Sequence, residues 1–419
     1  MKGVKKWNKK RFFFLIILFA ILYVYITNID KIPEEIVLFQ DENYELNYLK
    51  GINIEGENVS VAESFFNKLA KVKSDFVGEG KLTLSAFGGI MKKDISVSVL
   101  PATSVVVGGD TVGIRLYSKG VLVIGESPVQ GVDGNWYEPY SKSNIEKGDI
   151  ITKINDVPIE TITELVEVVN NSTNDSVLVE YKKDGNILRE TIATIKSFDD
   201  GLQKLGLWVR DGAMGVGTLT FYDPKSKTYG ALGHGISDYD LKELIEVERG
   251  ALNIASIIDV TKGAKSSPGE IKGLLNDEME IGTIEKNNEK GIYGNFLDTN
   301  NYFKGREEVL VASKNEIELG KASVVCTVDK ENIPKEYEIE ILKVADNPHV
   351  SSKGMIIKVI DEELLAKTGG IIQGMSGSPI LQDGKLIGAV THVYINDPTK
   401  GYAIFAETMI KESHLRENP

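Results

Sequence analysis

Apolar and polar positions divide this chain into one unbroken apolar block near its start and a long series of short alternating stretches. The block runs from Phe12 to Ile26 without a charge. At about 1.5 Å per helical residue it reaches roughly 22 Å, short of a ~30 Å hydrocarbon core unless its flanks contribute. Trp7, Tyr23 and Tyr25 are suited to the interfacial flanks. Beyond it, Leu82–Ser85, Ile95–Leu100, Val121–Ile124, Val177–Tyr181, Ile192–Ile195, Gly206–Arg210, Thr218–Tyr222, Ile281–Ile284, Tyr337–Val344, Met355–Ile360 and Leu386–Val390 read as strands. The turn-like Val77–Gly80 and Phe87–Gly89 allow a hairpin, and Asp184-Gly185 marks another. One amphipathic helix is predicted, Glu164–Val169 with Thr163 as N-cap and Leu165, Val168 and Val169 on one face. The expected fold is mainly β, in four segments: an anchor at 1–30, a spacer or small β region at 31–100, a compact unit at 101–195, and a last unit at 196–419. The short, Gly-punctuated strands of that last unit predict a β-barrel or a pair of barrels.

Composition narrows this picture. With 42% hydrophobic and 26% charged residues the chain is globular, and 419 residues call for two or three domains. A net charge of −13 argues against a nucleic-acid partner, whose phosphates need lysine and arginine. Lys2, Lys5, Lys6, Lys9, Lys10 and Arg11 precede the apolar block, which keeps the N-terminus cytoplasmic and places everything after residue 30 outside. The bulky Tyr25-Ile26-Thr27-Asn28 offers no small-x-small cleavage site, so an uncleaved signal anchor is favoured over a removed signal peptide. The single cysteine, Cys326, rules out an intrachain disulfide and a Cys-based zinc site, and its apolar surroundings read as a buried thiol. No metal and no organic cofactor is implied.

Candidate chemistry gathers around Gly374-Met375-Ser376-Gly377-Ser378-Pro379. A serine between glycines at a tight turn suits a nucleophile, and the N–H groups of Gly374 and Ser376 suit an oxyanion hole. Ser378 is the alternative nucleophile. Of four histidines, His234 stands between two glycines at a loop tip and is the candidate base. His392 reads as a packed structural residue and His349 as a loop residue. Asp361, at the end of the strand Met355–Ile360, is the candidate acid, with Asp238 and Asp223 as competitors. The order His234, Asp361, Ser376 is that of chymotrypsin-like proteases, and the serine segment is similar to their Gly-Asp-Ser-Gly-Gly-Pro turn. Met375 in place of the acid and Ser378 in place of a glycine are the departures.

The unit at 101–195 resembles a PDZ domain, through Lys147-Gly148-Asp149-Ile150-Ile151, Ile154-Asn155 and the helix that follows. That resemblance implies a peptide added as a strand to a sheet edge, its carboxylate held by a loop; Val112-Gly113-Ile114 is the stretch similar to that loop. The insertion Gly125–Tyr140, with Trp136 and Tyr137, departs from a compact PDZ. With Gly233–Asp238, Gly374–Pro379 and Thr391–Pro398, the chain as a whole resembles the SpoIVB peptidase family of spore-forming bacteria. The resemblance implies a chymotrypsin-like β-barrel serine peptidase with His234, Asp361 and Ser376 as catalytic residues, made in the forespore and acting between the two membranes of the developing spore. It further implies self-cleavage in the N-terminal region, control by the PDZ domain, and cleavage within a membrane-bound inhibitor complex that releases a sigma factor. A PDZ-type peptide-binding scaffold with an inactive peptidase-like half is the alternative.

Overall fold

In the computed structural model, residues 9–49, 51–63, 69–74, 76–172, 174–238, 242–247, 249–297, 302–345 and 352–414 are described; His349 lies outside them. The apolar block forms α1 (Lys9–Lys31). Its segment Phe12–Lys31 has a mean hydropathy of 2.5 and is long and apolar enough to cross a membrane. Its last turn belongs to a folded domain, because Ile29 and Ile32 are buried there.

That first domain covers the segment expected as a spacer or small β region. Strands β1 (Glu35–Phe39), β2 (Asn53–Glu57), β3 (Gly78–Ala86) and β4 (Met91–Leu100) form a sheet in the order β1-β4-β3-β2. β3 and β4 are the expected hairpin, and β1 joins β4 in parallel. A three-stranded sheet of Asn43–Asn47, Ser60–Glu63 and Leu69–Lys73 covers it, so Leu82, Leu84, Ile95 and Val97 are fully buried.

The PDZ-like unit is built from β5 (Thr111–Glu126), β6 (Ile150–Ile154), α2 (Ile162–Asn171), β7 (Ser176–Lys183) and β8 (Asn186–Ala193), with β9 (Leu207–Asp223) at the sheet edge. The strand order is β8-β7-β6-β5-β9. The helix starts earlier than expected. Thr161, not Thr163, is the N-cap: its hydroxyl accepts from Glu164 N while the Glu164 carboxylate accepts from Thr161 N. The sequence carries this reciprocal capping box as Thr-x-x-Glu.

β5 and β9 are far longer than the PDZ-like unit needs. They continue side by side into the peptidase half, where β10 (Thr228–Ala231), β11 (Arg249–Thr261), β12 (Glu270–Thr283) and β13 (Gly291–Asn295) extend the same thirteen-stranded sheet. After it, β14 (Gly320–Cys326), β15 (Lys335–Val344), β16 (Met355–Val359), β17 (Pro379–Gln382), β18 (Lys385–Tyr394) and β19 (Asp397–Phe405) close a barrel in the order β14-β15-β16-β19-β18-β17. Among the described strands this barrel alone closes. The short helix α3 (Glu362–Thr368) follows β16, and α4 (Ala406–Ser413) ends the described chain. Cys326 is buried in the barrel core beside Tyr337, Ile339 and Met375, and burial pushes its thiol well above the usual range.

Candidate active site

The serine turn leaves the barrel between α3 and β17, and β9 holds it from the other side. Thr218 N donates to Ser376 O at 2.9 Å and Thr218 Oγ1 to Gly374 O at 2.8 Å. Thr220 Oγ1 donates to Gly377 O at 2.7 Å. Gly374 and Gly377 have φ of 97° and 93°, and a Cβ on Gly377 would lie 2.1 Å from Thr218 O, so only glycine lets the turn lie on β9. Met375 is fully buried in the barrel core. An acid there would be desolvated without a partner, which explains the departure from the chymotrypsin pattern. Ser378 is fully buried too, its hydroxyl donating to Thr218 Oγ1 at 3.4 Å; Ser376 is the half-buried serine that reaches the surface. Among the described residues, the N–H groups of Gly374 and Ser376 have no hydrogen-bond acceptor, the condition an oxyanion hole requires.

His234 approaches from the end of β10. Leu232 and Gly233 turn the chain with φ of 65° and 67°; the left-handed geometry at a leucine is uncommon and is held by burial of its side chain. A Cβ on Gly233 would lie 2.9 Å from Thr391 Cγ2, so the histidine loop rests against Thr391. Ser376 meets the same residue, its Oγ donating to Thr391 O at 2.7 Å. The β18/β19 register shifts between Val390 and His392, and this bulge at Thr391 frees its carbonyl from the ladder. The serine and the histidine thus flank one bulged residue. His234 Nδ1 lies 2.9 Å from Gly235 O. With Nδ1 carrying the proton, Nε2 is the basic nitrogen. Burial holds the His234 pKa below its usual value, opposed by the Gly235 carbonyl. The loop is strapped by Asn287, whose amide donates to Ile236 O at 2.8 Å and Ile245 O at 2.9 Å and accepts from Ile236 N at 2.8 Å.

None of the three candidate acids meets His234. Asp361 is the N-cap of α3, its carboxylate accepting from Leu364 N at 2.9 Å and Glu338 N at 3.3 Å. The expectation that Asp361 orients the imidazole is corrected for this conformation: a carboxylate at a helix N-terminus is taken by the unpaired backbone donors there. Asp238 pairs with Arg210 of β9, and Asp223 caps its own turn through Lys225 N and Ser226 Oγ. The ring beside His234 is His392, with centroids 4.9 Å apart and planes inclined by 37°. Expected as a packed residue, it sits at the exposed rim. Desolvation first, then the neighbouring His234 and Lys353, holds its pKa down to about 4. Among the described residues no group of three or more His, Cys, Asp or Glu could hold a metal ion.

Val112, Gly113 and Ile114 form no loop. They lie inside β5, paired to β9 on one side and β11 on the other, and a Cβ on Gly113 would lie 2.2 Å from Leu275. Their backbone groups are committed to two ladders, so they cannot hold a carboxylate. A groove of about 430 Å³ lies instead between α2 (Leu165, Val166, Val169) and the start of β9 (Leu207, Trp208, Val209), and Pro128 and Trp136 of the insertion extend its wall. Among the described residues, Leu207–Arg210 pair only with β5, leaving the other strand edge open. The Leu205 and Gly206 N–H groups at its end have no acceptor there. Leu205-Gly206-Leu207 has the same apolar-Gly-apolar pattern as Val112-Gly113-Ile114. Thr218, Thr220 and Asn287 also escaped the sequence reading; the one signal was the i, i+2 threonine pair, which puts both hydroxyls on one strand face.

A family model described as SpoIVB peptidase S55 matches residues 201–410, and a PDZ domain model matches residues 111–194. Among solved structures, the PDZ domain of the SdrC-like protein from Listeria monocytogenes is 21% identical, over 22% of this chain and 87% of that one, with a TM-score of 0.18. Rv3671c from M. tuberculosis H37Rv, in an inactive form, is 12% identical, over 49% of this chain and 84% of that one, with a TM-score of 0.27. No curated protein matches.

Proposed function

This chain belongs to the SpoIVB peptidase S55 family, a family of peptidases, and from that membership we propose that it is a membrane-anchored serine endopeptidase. It cleaves itself in its N-terminal region and cleaves a regulatory protein within a membrane-bound signalling complex, triggering sigma-factor activation during sporulation. Ser376 attacks the scissile carbonyl, and Nε2 of His234 takes its proton and returns it to the leaving amine. The N–H groups of Gly374 and Ser376 hold the oxyanion. The Gly235 carbonyl fixes the His234 tautomer, while Asp361 supports the site from the cap of α3. The lysines ahead of α1 keep the N-terminus cytoplasmic, so the catalytic part lies outside, in the space between the forespore membranes.

The observation that carries this reading is the convergence of Ser376 and the His234 loop on Thr391. The Ser376 hydroxyl is bonded to the Thr391 carbonyl, and attack by Ser376 requires a rotation about χ1 that breaks this bond. β9 supplies a route for control. Its start walls the peptide groove, Arg210 pairs with Asp238 after the histidine, and Thr218 and Thr220 grip the serine turn. A peptide from a substrate or from the protein's own N-terminal region, added along Leu207–Val209, pulls on the strand that holds the nucleophile.

The same serine–carbonyl bond favours a second reading, a peptide-binding scaffold whose peptidase half stays inactive. Treating the purified full chain with a fluorescent serine-reactive phosphonate separates the two. Labelling and self-cleavage in the parent, both lost in Ser376→Ala, are expected of the peptidase. Absence of labelling, or self-cleavage unchanged in Ser376→Ala, sinks it.

A further inference from the structure

The hairpin β3–β4 ends in a tip that no part of the proposed chemistry uses. Phe87, Gly88 and Gly89 all have positive φ, of 53°, 68° and 89°, so the chain turns sharply and projects its side chains. Ile90 is 84% exposed and Phe87 42%. Lys92 follows on the exposed face of β4. Two exposed apolar residues at a loop tip are unremarkable alone; their position against α1 is what gives them a use.

The tip is fastened to the end of α1. The Phe87 ring lies 4.8 Å, centroid to centroid, from the Tyr25 ring. Lys93 Nζ donates to Ile29 O in the last helical turn at 3.1 Å and to Ile32 O just beyond the helix at 2.5 Å. A tyrosine at the end of an apolar helix belongs to the membrane–water interface. Phe87 touches that tyrosine, so the tip sits at the same depth as the interface.

The length of the apolar block gives the tip its role. The helix Phe12–Lys31 is long enough to cross only with its last turn included; the uncharged block Phe12–Ile26 alone reaches roughly 22 Å against a ~30 Å core, and a span of that length draws the bilayer toward its flanks. Ile29 and Ile32 cannot extend it, because they are buried in the first domain. Phe87, against Tyr25, and the neighbouring Ile90 are exposed apolar groups beside the end of the block, and the exposed Lys92 has the length to reach a headgroup.

We propose that the Phe87–Ile90 tip is a second membrane contact, seated in the interfacial layer of the bilayer that α1 enters. It fixes the first domain flat against the lipid instead of leaving it to pivot on one helix. The proposal rests on the reading of α1 as a membrane anchor. It is tested with full chains labelled with an environment-sensitive fluorophore at Ile90→Cys, Phe19→Cys or Ile258→Cys and reconstituted into nanodiscs of phosphatidylcholine and phosphatidylglycerol. The unsubstituted chain is the control for the buried Cys326. Some of the phosphatidylcholine carries a nitroxide, near its headgroup for reading positions 90 and 258 and on its acyl chain for reading position 19. Quenching at position 90 at least about twofold stronger than at position 258, which lies on the distant peptidase sheet, is expected of an interfacial residue. Quenching at 90 no stronger than at 258, with strong quenching at 19, overturns the tip contact and leaves the anchor standing. No quenching at 19 either removes the anchor, and the tip contact with it.

Discussion

The two halves of the candidate site are held in different ways. The serine turn is packed on the closed barrel and gripped by β9; Met375 and Ser378 on either side of the nucleophile are fully buried. The histidine loop leaves an open sheet through a left-handed leucine and, among the described residues, is steadied by Asn287, by the Arg210–Asp238 pair and by backbone bonds such as Ile245 N to Ile236 O and Asp238 N to Glu243 O. If Ser376 and His234 act as nucleophile and base, a serine held this firmly opposite a strapped histidine means that small changes act on the histidine. Geometry at the reacting atoms is worth many kcal/mol, and misplacement by about 1 Å costs ~10²-fold in rate. Control of this peptidase therefore has most leverage on the His234 side, where Arg210–Asp238 joins the loop to the strand that walls the peptide groove.

The sharpest break of the comparison removes each half in turn. Ser376→Ala and His234→Ala are each expected to lower kcat for peptide cleavage by about 10⁴-fold or more, as groups that act as a unit do. Thermal midpoints close to the parent's would show that the loss is chemical. Asn287→Ala comes next. It strands the Ile245 carbonyl and the Ile236 N–H, both part-buried, and leaves Ile236 O with its bond from Ile245 N alone; an unpaired group costs up to about 1–3 kcal/mol. We expect a fall of ~10–100-fold in kcat with KM nearly unchanged, since the groove is not touched. Thr218→Val, the matching change on the serine side, is expected to lower the thermal midpoint more than kcat. Equal kcat losses in the two variants would mean that the halves are not mechanically different.

Asp361 shows how far the sequence could be read. Its position after a strand and between His234 and Ser376 matched a triad, yet the residues after it, Glu362-Glu363-Leu364-Leu365, also start a helix, and an aspartate there caps it. Chain order carries no information on which of two local demands a carboxylate meets. The strands and the glycines of the serine turn were legible because each follows from periodicity or from a backbone constraint at one position, and the PDZ unit was legible only through its resemblance to a known family at Lys147–Ile151 and Ile154-Asn155. Val112-Gly113-Ile114 could not be told from a loop by pattern, which Leu205-Gly206-Leu207 shares; only the pairing of β5 on both edges shows that it is strand. Asn287 left no trace in the sequence, since its partners are 42 and 51 residues away. Asp361→Asn turns this into a measurement. Asparagine caps helices as well as aspartate, so kcat within about threefold of the parent is expected. A loss of ~10³-fold or more at an unchanged thermal midpoint would make Asp361 the orienting acid of a rearranged active form.

The histidine side should also show in the pH profile. Burial depresses the His234 pKa, so the neutral, proton-accepting form persists below pH ~6.5, and the acid limb of kcat/KM is expected to lie below that value. His392→Ala opens the ring of His234 to water and should move that limb upward, lowering activity at pH 6 more than at pH 8. An unchanged limb would show that His392 does not help to desolvate the base.

The smallest expected effect tests the strap at one remove. Asn287 lies in the short strand Lys286–Asn288, and Glu412 of α4 holds that strand from behind: its carboxylate accepts from Lys290 Nζ at 2.8 Å and Asn288 Nδ2 at 2.8 Å, and pairs with Lys286. Burial alone would raise the pKa of Glu412, but these partners, the Lys286 and Lys290 ammonium groups foremost, bring it down to about 2. A carboxyl whose folded pKa lies below its unfolded value stabilises the fold above the unfolded pKa, ~4.3, and that stabilisation is lost as pH falls toward 2. Glu412→Gln should therefore unfold at a lower temperature than the parent at pH 7, with the gap narrowing between pH 4 and pH 2. Because Glu412 bonds to the strand that carries Asn287 and not to the His234 loop itself, kcat at pH 7 should fall less than in Asn287→Ala. A larger loss than in Asn287→Ala, or a gap in thermal midpoint that stays constant down to pH 2, would mean that the loop is held by something other than this chain of contacts.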